Sequence, residues 1–179
     1  MAVVIVIWML RLISGRPAVV SSSPAQVETA GPNLLENPSF ARGMHGWTLY
    51  HNAQPMQVRI EHSGVAIRPG AAKNSVQEVY QRFEVPPAGT IVASGRVRVS
   101  GAPLPADASV IVMVVDSSNK GTTGFYVVPK RGTGAFPFSF VYSPNGTTRE
   151  FVLGVITGSY SNDRTVVSFD DLKIAKTKD

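Results

Sequence analysis

NLLENPSFARGMHGW, residues 33–47, begins on apolar residues, passes through Asn37-Pro38-Ser39 and ends on a tryptophan. It reads as a short entry strand over Leu34–Phe40, a turn, and an anchoring Trp47. Near the other end, VSFDDLKI (residues 167–174) reads as its counterpart, a closing strand. Between them lie short apolar runs separated by turn residues, the pattern of strands rather than helices. The spacing predicts strands at Trp47–Tyr50, Gln57–Glu61, Val65–Arg68, Val76–Val85, Ile91–Val99, Ser109–Val115, Phe125–Val128, Phe136–Tyr142, Phe151–Thr157 and Val166–Ile174. Pro86-Pro87-Ala88-Gly89 reads as the link between two strands, and Ser143-Pro144-Asn145-Gly146 as the link of another pair, where Asn-Gly favours a hairpin turn. No segment carries helical periodicity over three turns, and no internal repeat is present. The expected fold is all-β: a two-sheet antiparallel β-sandwich, or jelly roll, preceded by an apolar N-terminal segment.

Composition narrows the function classes. The 179 residues contain no cysteine, which excludes disulfides, thiolate metal sites and a cysteine nucleophile. Sixteen glycines and 13 prolines suit turns. The formal charge of +5, from 17 basic and 12 acidic residues, is spread along the chain. Nucleic-acid binding asks for a clustered basic patch with interleaved aromatics, so no nucleic-acid partner is expected.

MAVVIVIWMLRLIS, residues 1–14, is too short for a membrane span of about 20 apolar residues. It has the length of a secretory apolar region, yet its basic residues, Arg11 and Arg16, follow the run instead of preceding it. Residues 1–16 are therefore a signal peptide or a membrane anchor, and 17–32 a Pro/Ser/Ala-rich linker. The binding domain is 33–175 and a charged tail 176–179. The expected location is secreted or periplasmic, with membrane tethering through the N-terminal segment as the alternative.

Asn33-Leu34-Leu35, Asn37-Pro38-Ser39-Phe40, Gly46-Trp47 and the closing Phe169-Asp170-Asp171-Leu172 resemble the two ends of carbohydrate-binding modules of families 4, 9 and 22. Those modules are galactose-binding-like jelly rolls, and the resemblance spans about residues 33–175. It implies a non-catalytic glycan-binding role. It also implies a structural calcium, held in part by an acidic residue after the Phe of the opening motif. Here that position is Ala41, which leaves Asp170 or Asp171 with neighbouring carbonyls as a weaker calcium site. The alternative is that one aspartate bonds backbone donors of the opening segment and locks the two ends together.

Catalysis finds little support. A glycosidase holds two carboxyls roughly 5–9.5 Å apart, whereas Asp170 and Asp171 are adjacent on a strand and point to opposite faces. His45, His51 and His62 share no ligand spacing, and Gly-x-Ser-x-Gly is absent. Asn145-Gly146-Thr147 fits a glycosylation sequon but reads as turn chemistry. Trp47 reads as core. Phe136, Phe138, Phe140 and Tyr142 recur at period two, either as an exposed glycan platform or, more simply, as a buried sandwich face.

The segments Val76–Val85 and Ile91–Val99 carry the candidate site. Val79, Phe83 and Val85 fall on one face, in phase with Ile91, Ala93, Val97 and Val99. Glu78, Tyr80 and Arg82 fall opposite, as do Ser94, Arg96 and Arg98. A tight connection would set Tyr80, Arg82, Arg96 and Arg98 side by side, with Tyr126 joining them. Tyrosine stacks on sugar rings and arginine gives bidentate hydrogen bonds, although both also mark protein interfaces. Tyr50, His51 and Tyr160 read as loop residues at the sandwich edge. The rival function is a structural or accessory subunit of a membrane-associated or cell-surface complex, using the same fold to dock a protein partner.

Overall fold

Alternating inward and outward side chains can close a core only against a second sheet, and the computed structural model shows two. It describes residues 28–51, 57–61, 63–68, 75–85, 89–116, 122–128, 132–143, 148–157 and 164–178. The strands are β1 (Thr29–Ala30), β2 (Thr48–His51), β3 (Gln57–Glu61), β4 (Gly64–Arg68), β5 (Ser75–Glu84) and β6 (Ile91–Gly101). They continue as β7 (Ser109–Asp116), β8 (Thr122–Val127), β9 (Gly134–Tyr142), β10 (Thr148–Thr157) and β11 (Thr165–Thr177). The back sheet has the order β3-β4-β11-β6-β9, with β1 also paired to β11, and the front sheet the order β2-β5-β10-β7-β8. Every pairing is antiparallel. This is the β-sandwich expected of the sequence. β1 lies within the stretch read as linker, and β11 reaches into the stretch read as tail.

The core lies between the sheets. Val79, Phe83 and Val85 from the front meet Ile91, Ala93, Val97, Val99, Phe138, Phe140 and Tyr142 from the back. The aromatic row of β9 is thus a sandwich face, and Trp47 is core, stacked on Phe40 at 4.7 Å between ring centroids.

Three expectations are corrected. Leu34–Phe40 forms no strand; it is a run of bends and turns. Asn37 and Phe40 adopt φ of 50° and 56° there, values incompatible with extended pairing. The two Pro-containing links join strands of opposite sheets: β5 is in the front sheet and β6 in the back, and β9 and β10 are likewise split. Neither link closes a hairpin, because the two strands it joins pair within different sheets.

The ends are joined by an asparagine. Asn33 Nδ2 donates to Leu172 O (2.8 Å) and its Oδ1 accepts from Ile174 N (3.0 Å) and Leu35 N (3.1 Å). Leu34 N donates to Ile174 O at 2.8 Å. Within the loop, Asn37 Nδ2 donates to Gly43 O, Asn37 Oδ1 accepts from Arg42 N, and Asn37 O accepts from Trp47 Nε1. Gln81, on the inner face of β5, accepts from Glu36 N and donates to Glu36 O and Gly46 O. Gly46 sits at φ 81°, and a Cβ there would stand 2.8 Å from Gln81 Nε2, so glycine is required on both counts.

Asn33→Ala removes three part-buried hydrogen bonds at about 1 kcal/mol each. The expected fall in melting temperature is roughly 5–10 °C for a domain of this size. A shift under about 1 °C in a thermal melt would refute the clasp.

Candidate functional site

Strands with one buried face usually alternate apolar and polar residues. The front sheet departs from this. Ile111, Met113 and Val115 on β7, and Val152 and Ile156 on β10, point away from the core, as does Val76 on β5. They form a second apolar cluster on the outer face, with Val76, Met113 and Val152 buried and Tyr50, Tyr80 and Phe125 packed around them. The pairing gives two cross-strand rows. One runs Tyr50, Glu78, Gly154, Ile111, Val127, and the next Thr48, Tyr80, Val152, Met113, Phe125. Arg82, Glu150 and Val115 form a third.

Polar groups stand among these residues. Arg82 Nε donates to Glu150 Oε1 at 2.9 Å, with the carboxylate buried and the arginine largely exposed. Glu78 is only 1% exposed. Its Oε1 has no hydrogen-bond partner. Burial, with a smaller contribution from the Glu150 charge, raises its carboxyl from the usual 4.5 to about 7. The Tyr50 hydroxyl is raised too, by burial first and then by Glu78. Gly154 is the cross-strand partner of Glu78, and a Cβ there would stand in ordinary contact with Glu78 Cγ and Ile111 O, each at 3.7 Å. Half-buried aromatic rings, an apolar floor and a buried acceptor are the ingredients of a site for an amphipathic ligand.

The expected constellation of Tyr80, Arg82, Arg96, Arg98 and Tyr126 is not one site. Inward and outward phase was read correctly on β5 and β6, but the strands lie in different sheets, which puts Arg96 and Arg98 on the outer face of the back sheet. Tyr126 points inward and stacks on Phe138 at 5.7 Å, and burial raises its hydroxyl. It shares that inner face with Gly124, where a Cβ would come within 2.8 Å of the Phe140 ring. Tyr50 and His51 are strand residues of β2, and Tyr160 lies outside the described residues. Glu78 was legible as an outward residue, whereas Glu150, Gly154, Met113 and Phe125 were missed. Their signal was available: β7 reads Ser-Val-Ile-Val-Met-Val-Val-Asp, apolar on both faces.

The aspartates also depart from expectation. β11 carries a bulge between Asp170 and Lys173, with Asp171 at φ 55°, so the two carboxylates do not point to opposite faces. Arg96 Nε donates to Asp170 Oδ1 at 2.7 Å and Arg96 Nη2 to Asp171 Oδ2. These bonds raise the guanidinium further, the Asp170 hydrogen bond most. Arg98 Nη2 lies 3.7 Å from Asp170. Calcium needs several oxygen donors, and here the aspartates already hold arginine. Among the described residues no group of three or more His, Asp or Glu could hold a metal, so this donor set does not fit calcium. Nor does an aspartate lock the chain ends, since Asn33 does so.

No family model matches the chain, and no curated protein matches it. Solved structures do. TmCBM61 in complex with β-1,4-galactotriose is 14% identical with a TM-score of 0.58, covering 82% of this chain and 99% of that one. A CBM4 module is 13% identical with a TM-score of 0.54, covering 79% and 99%. The N-terminal cellulose-binding domain of Cellulomonas fimi β-1,4-glucanase C is 12% identical with a TM-score of 0.52, covering 84% and 99%. The fold is that of carbohydrate-binding jelly-roll modules, as the end motifs implied.

A raised carboxyl has a calculable effect on stability. Between pH 4.5 and about 7 the unfolded chain has released the Glu78 proton while the folded chain still holds it. Stability therefore falls as pH rises through this window, and the loss is complete above it. Replacing Glu78 by Gln is expected to stabilise the protein by roughly 2–3 kcal/mol more at pH 8 than at pH 5. Urea unfolding at the two pH values measures this, and an equal effect at both would contradict it.

Proposed function

We propose that the protein is a non-catalytic module that binds glycan chains on the outer face of the front sheet, and that it acts outside the cytoplasm. One observation carries this reading: beyond the core between the sheets, the front sheet holds a second apolar cluster on its outer face, edged by the half-buried Tyr50, Tyr80 and Phe125. Pyranose rings present apolar C–H faces and a rim of hydroxyls. Tyrosine rings meet the former, and the exposed Arg82 guanidinium with its partner Glu150 meets the latter. The fold shared with TmCBM61 and the cellulose-binding domain supports the same class of ligand. The apolar N-terminal run, residues 1–14, supports export. It lies outside the described residues.

The test is isothermal titration of the full chain with β-1,4-galacto-oligosaccharides and cello-oligosaccharides. Tyr50→Ala and Tyr80→Ala are each expected to weaken binding about tenfold, as loss of a central aromatic contact does. Arg96→Ala, on the opposite sheet, is expected to leave affinity unchanged. Equal weakening by Arg96→Ala would move the site to the back sheet. Release of reducing sugar on prolonged incubation would overturn the non-catalytic assignment.

A further inference from the structure

The two sides of the sandwich are unequal. On one side β8 and β9 stand at the ends of their sheets, and the Tyr126–Phe138 stack closes the core between them. On the other side the end strands are β2 and β3. Leu49 on β2 is opposite Val79, and Ile60 on β3 is opposite Val65. Val79 and Val65 are core residues, so Leu49 and Ile60 point inward with them. They are nevertheless 44% and 40% exposed. Inward apolar side chains left in water mark a side of the core that the described residues leave open.

An end strand presents a row of unpaired backbone groups, and proteins blunt such edges with proline, irregular pairing or inward charge. β9 has Pro137 in its middle, and β8 meets β7 across a register shift at Val114/Val115. β3 has none of these devices. Gln57–Glu61 pairs with Gly64–Arg68 without a shift, contains neither proline nor glycine, and turns only Val58 and Ile60 inward. Its outward face carries Arg59 and Glu61, opposite charges two positions apart and both exposed.

We propose that β3 is a self-association edge, on which a second copy of this chain adds its own β3 antiparallel about a two-fold axis at Ile60. In that register Arg59 of each copy faces Glu61 of the other, so symmetry makes the ion pair twice, and Ile60 faces Ile60. A two-fold axis at Arg59 would instead set like charges opposite. The edge is thus its own complement, which names a second copy as the occupant. Residues directly opposite on antiparallel strands point to the same face, so the exposed Ile60 side chains meet on the core side, where Leu49 also faces. Both front sheets then lie on the same side of one continuous back sheet. The contact is small, and the association belongs to the weak, concentration-dependent class. It does not depend on what the front face binds.

Disulfide trapping tests the register directly. The chain contains no cysteine, so Ile60→Cys supplies a single thiol in the full-length protein. Facing residues of antiparallel strands have Cα atoms about 4.5–5.5 Å apart, within reach of a disulfide. Mild oxidation is expected to link Ile60→Cys chains into covalent dimers, whereas Val141→Cys, equally exposed but on β9, stays unlinked. Adding Glu61→Arg or Arg59→Glu is expected to weaken association about tenfold, because each change makes two attractive pairs repulsive. An equimolar mixture of these two charge variants regains it, since a doubly basic edge then faces a doubly acidic one. That recovery also shows that neither variant is misfolded. Sedimentation of the cysteine-free protein, in a series reaching millimolar concentration, is expected to show reversible dimers. Linking that survives either charge variant, a mixture that links no better than its components, or a monomer throughout the series would each overturn the proposal.

Discussion

One carboxamide holds the ends of the domain together. Asn33 is an acceptor for two backbone N–H groups and a donor to one carbonyl, and its partners on β11 are more than 130 positions away in sequence. Aspartate could not serve, because an ionised carboxylate has no proton for Leu172 O. With the clasp in place, the following loop is fixed at one end of the sandwich. Phe40 and Trp47 enter the core there, and Gln81 satisfies the loop's backbone from the inner face of β5. Gln81 lies one position from Tyr80, so the group that anchors the loop and the ring on the outer face of the front sheet belong to adjacent residues pointing opposite ways.

The front sheet is apolar on both sides for different reasons. Its inner face completes the core. On its outer face Met113 and Val152 are buried, with Tyr50, Tyr80, Ile111 and Phe125 packed against the cluster they form. Leaving a buried carboxyl beside them without a full set of partners lowers stability. Functional sites commonly retain such strain or unmet polarity where the surrounding structure can bear it. The back sheet shows the contrast. There Arg96 pairs with both aspartates, and Arg98 stands 3.7 Å from Asp170.

The sequence showed the strand positions and the inward or outward phase of β5, β6 and β9, because both follow from local alternation and turn residues. It did not show which sheet each strand joins. That depends on where a link such as Pro86–Gly89 carries the chain, a matter of the whole sandwich, and so Tyr80 and Arg96 were set on one face when they stand on opposite faces of the molecule. Asp170 and Asp171 failed differently: a bulge shifts the period by one residue, and no residue type in Phe-Asp-Asp-Leu announces it. Phe125 and Tyr126 are both aromatic, so composition could not say which turned inward. The two-sided apolarity of β7 was visible and is the feature from which the face could have been found.

The place of β11 has a consequence for how the molecule forms. It lies between β4 and β6, so before it docks the back sheet is two separate ribbons, β3–β4 and β6–β9, with no hydrogen bond between them. Among the described strands only β3–β4 and β7–β8 pair neighbours in sequence. Most of the closure entropy must therefore be spent before the non-local pairings return any stability, the condition for slow folding. Synthesis from the N-terminus delivers β11 after every other described strand, so the back sheet cannot be completed until Thr165–Thr177 is available. Loss of that one strand would split a sheet instead of trimming its edge.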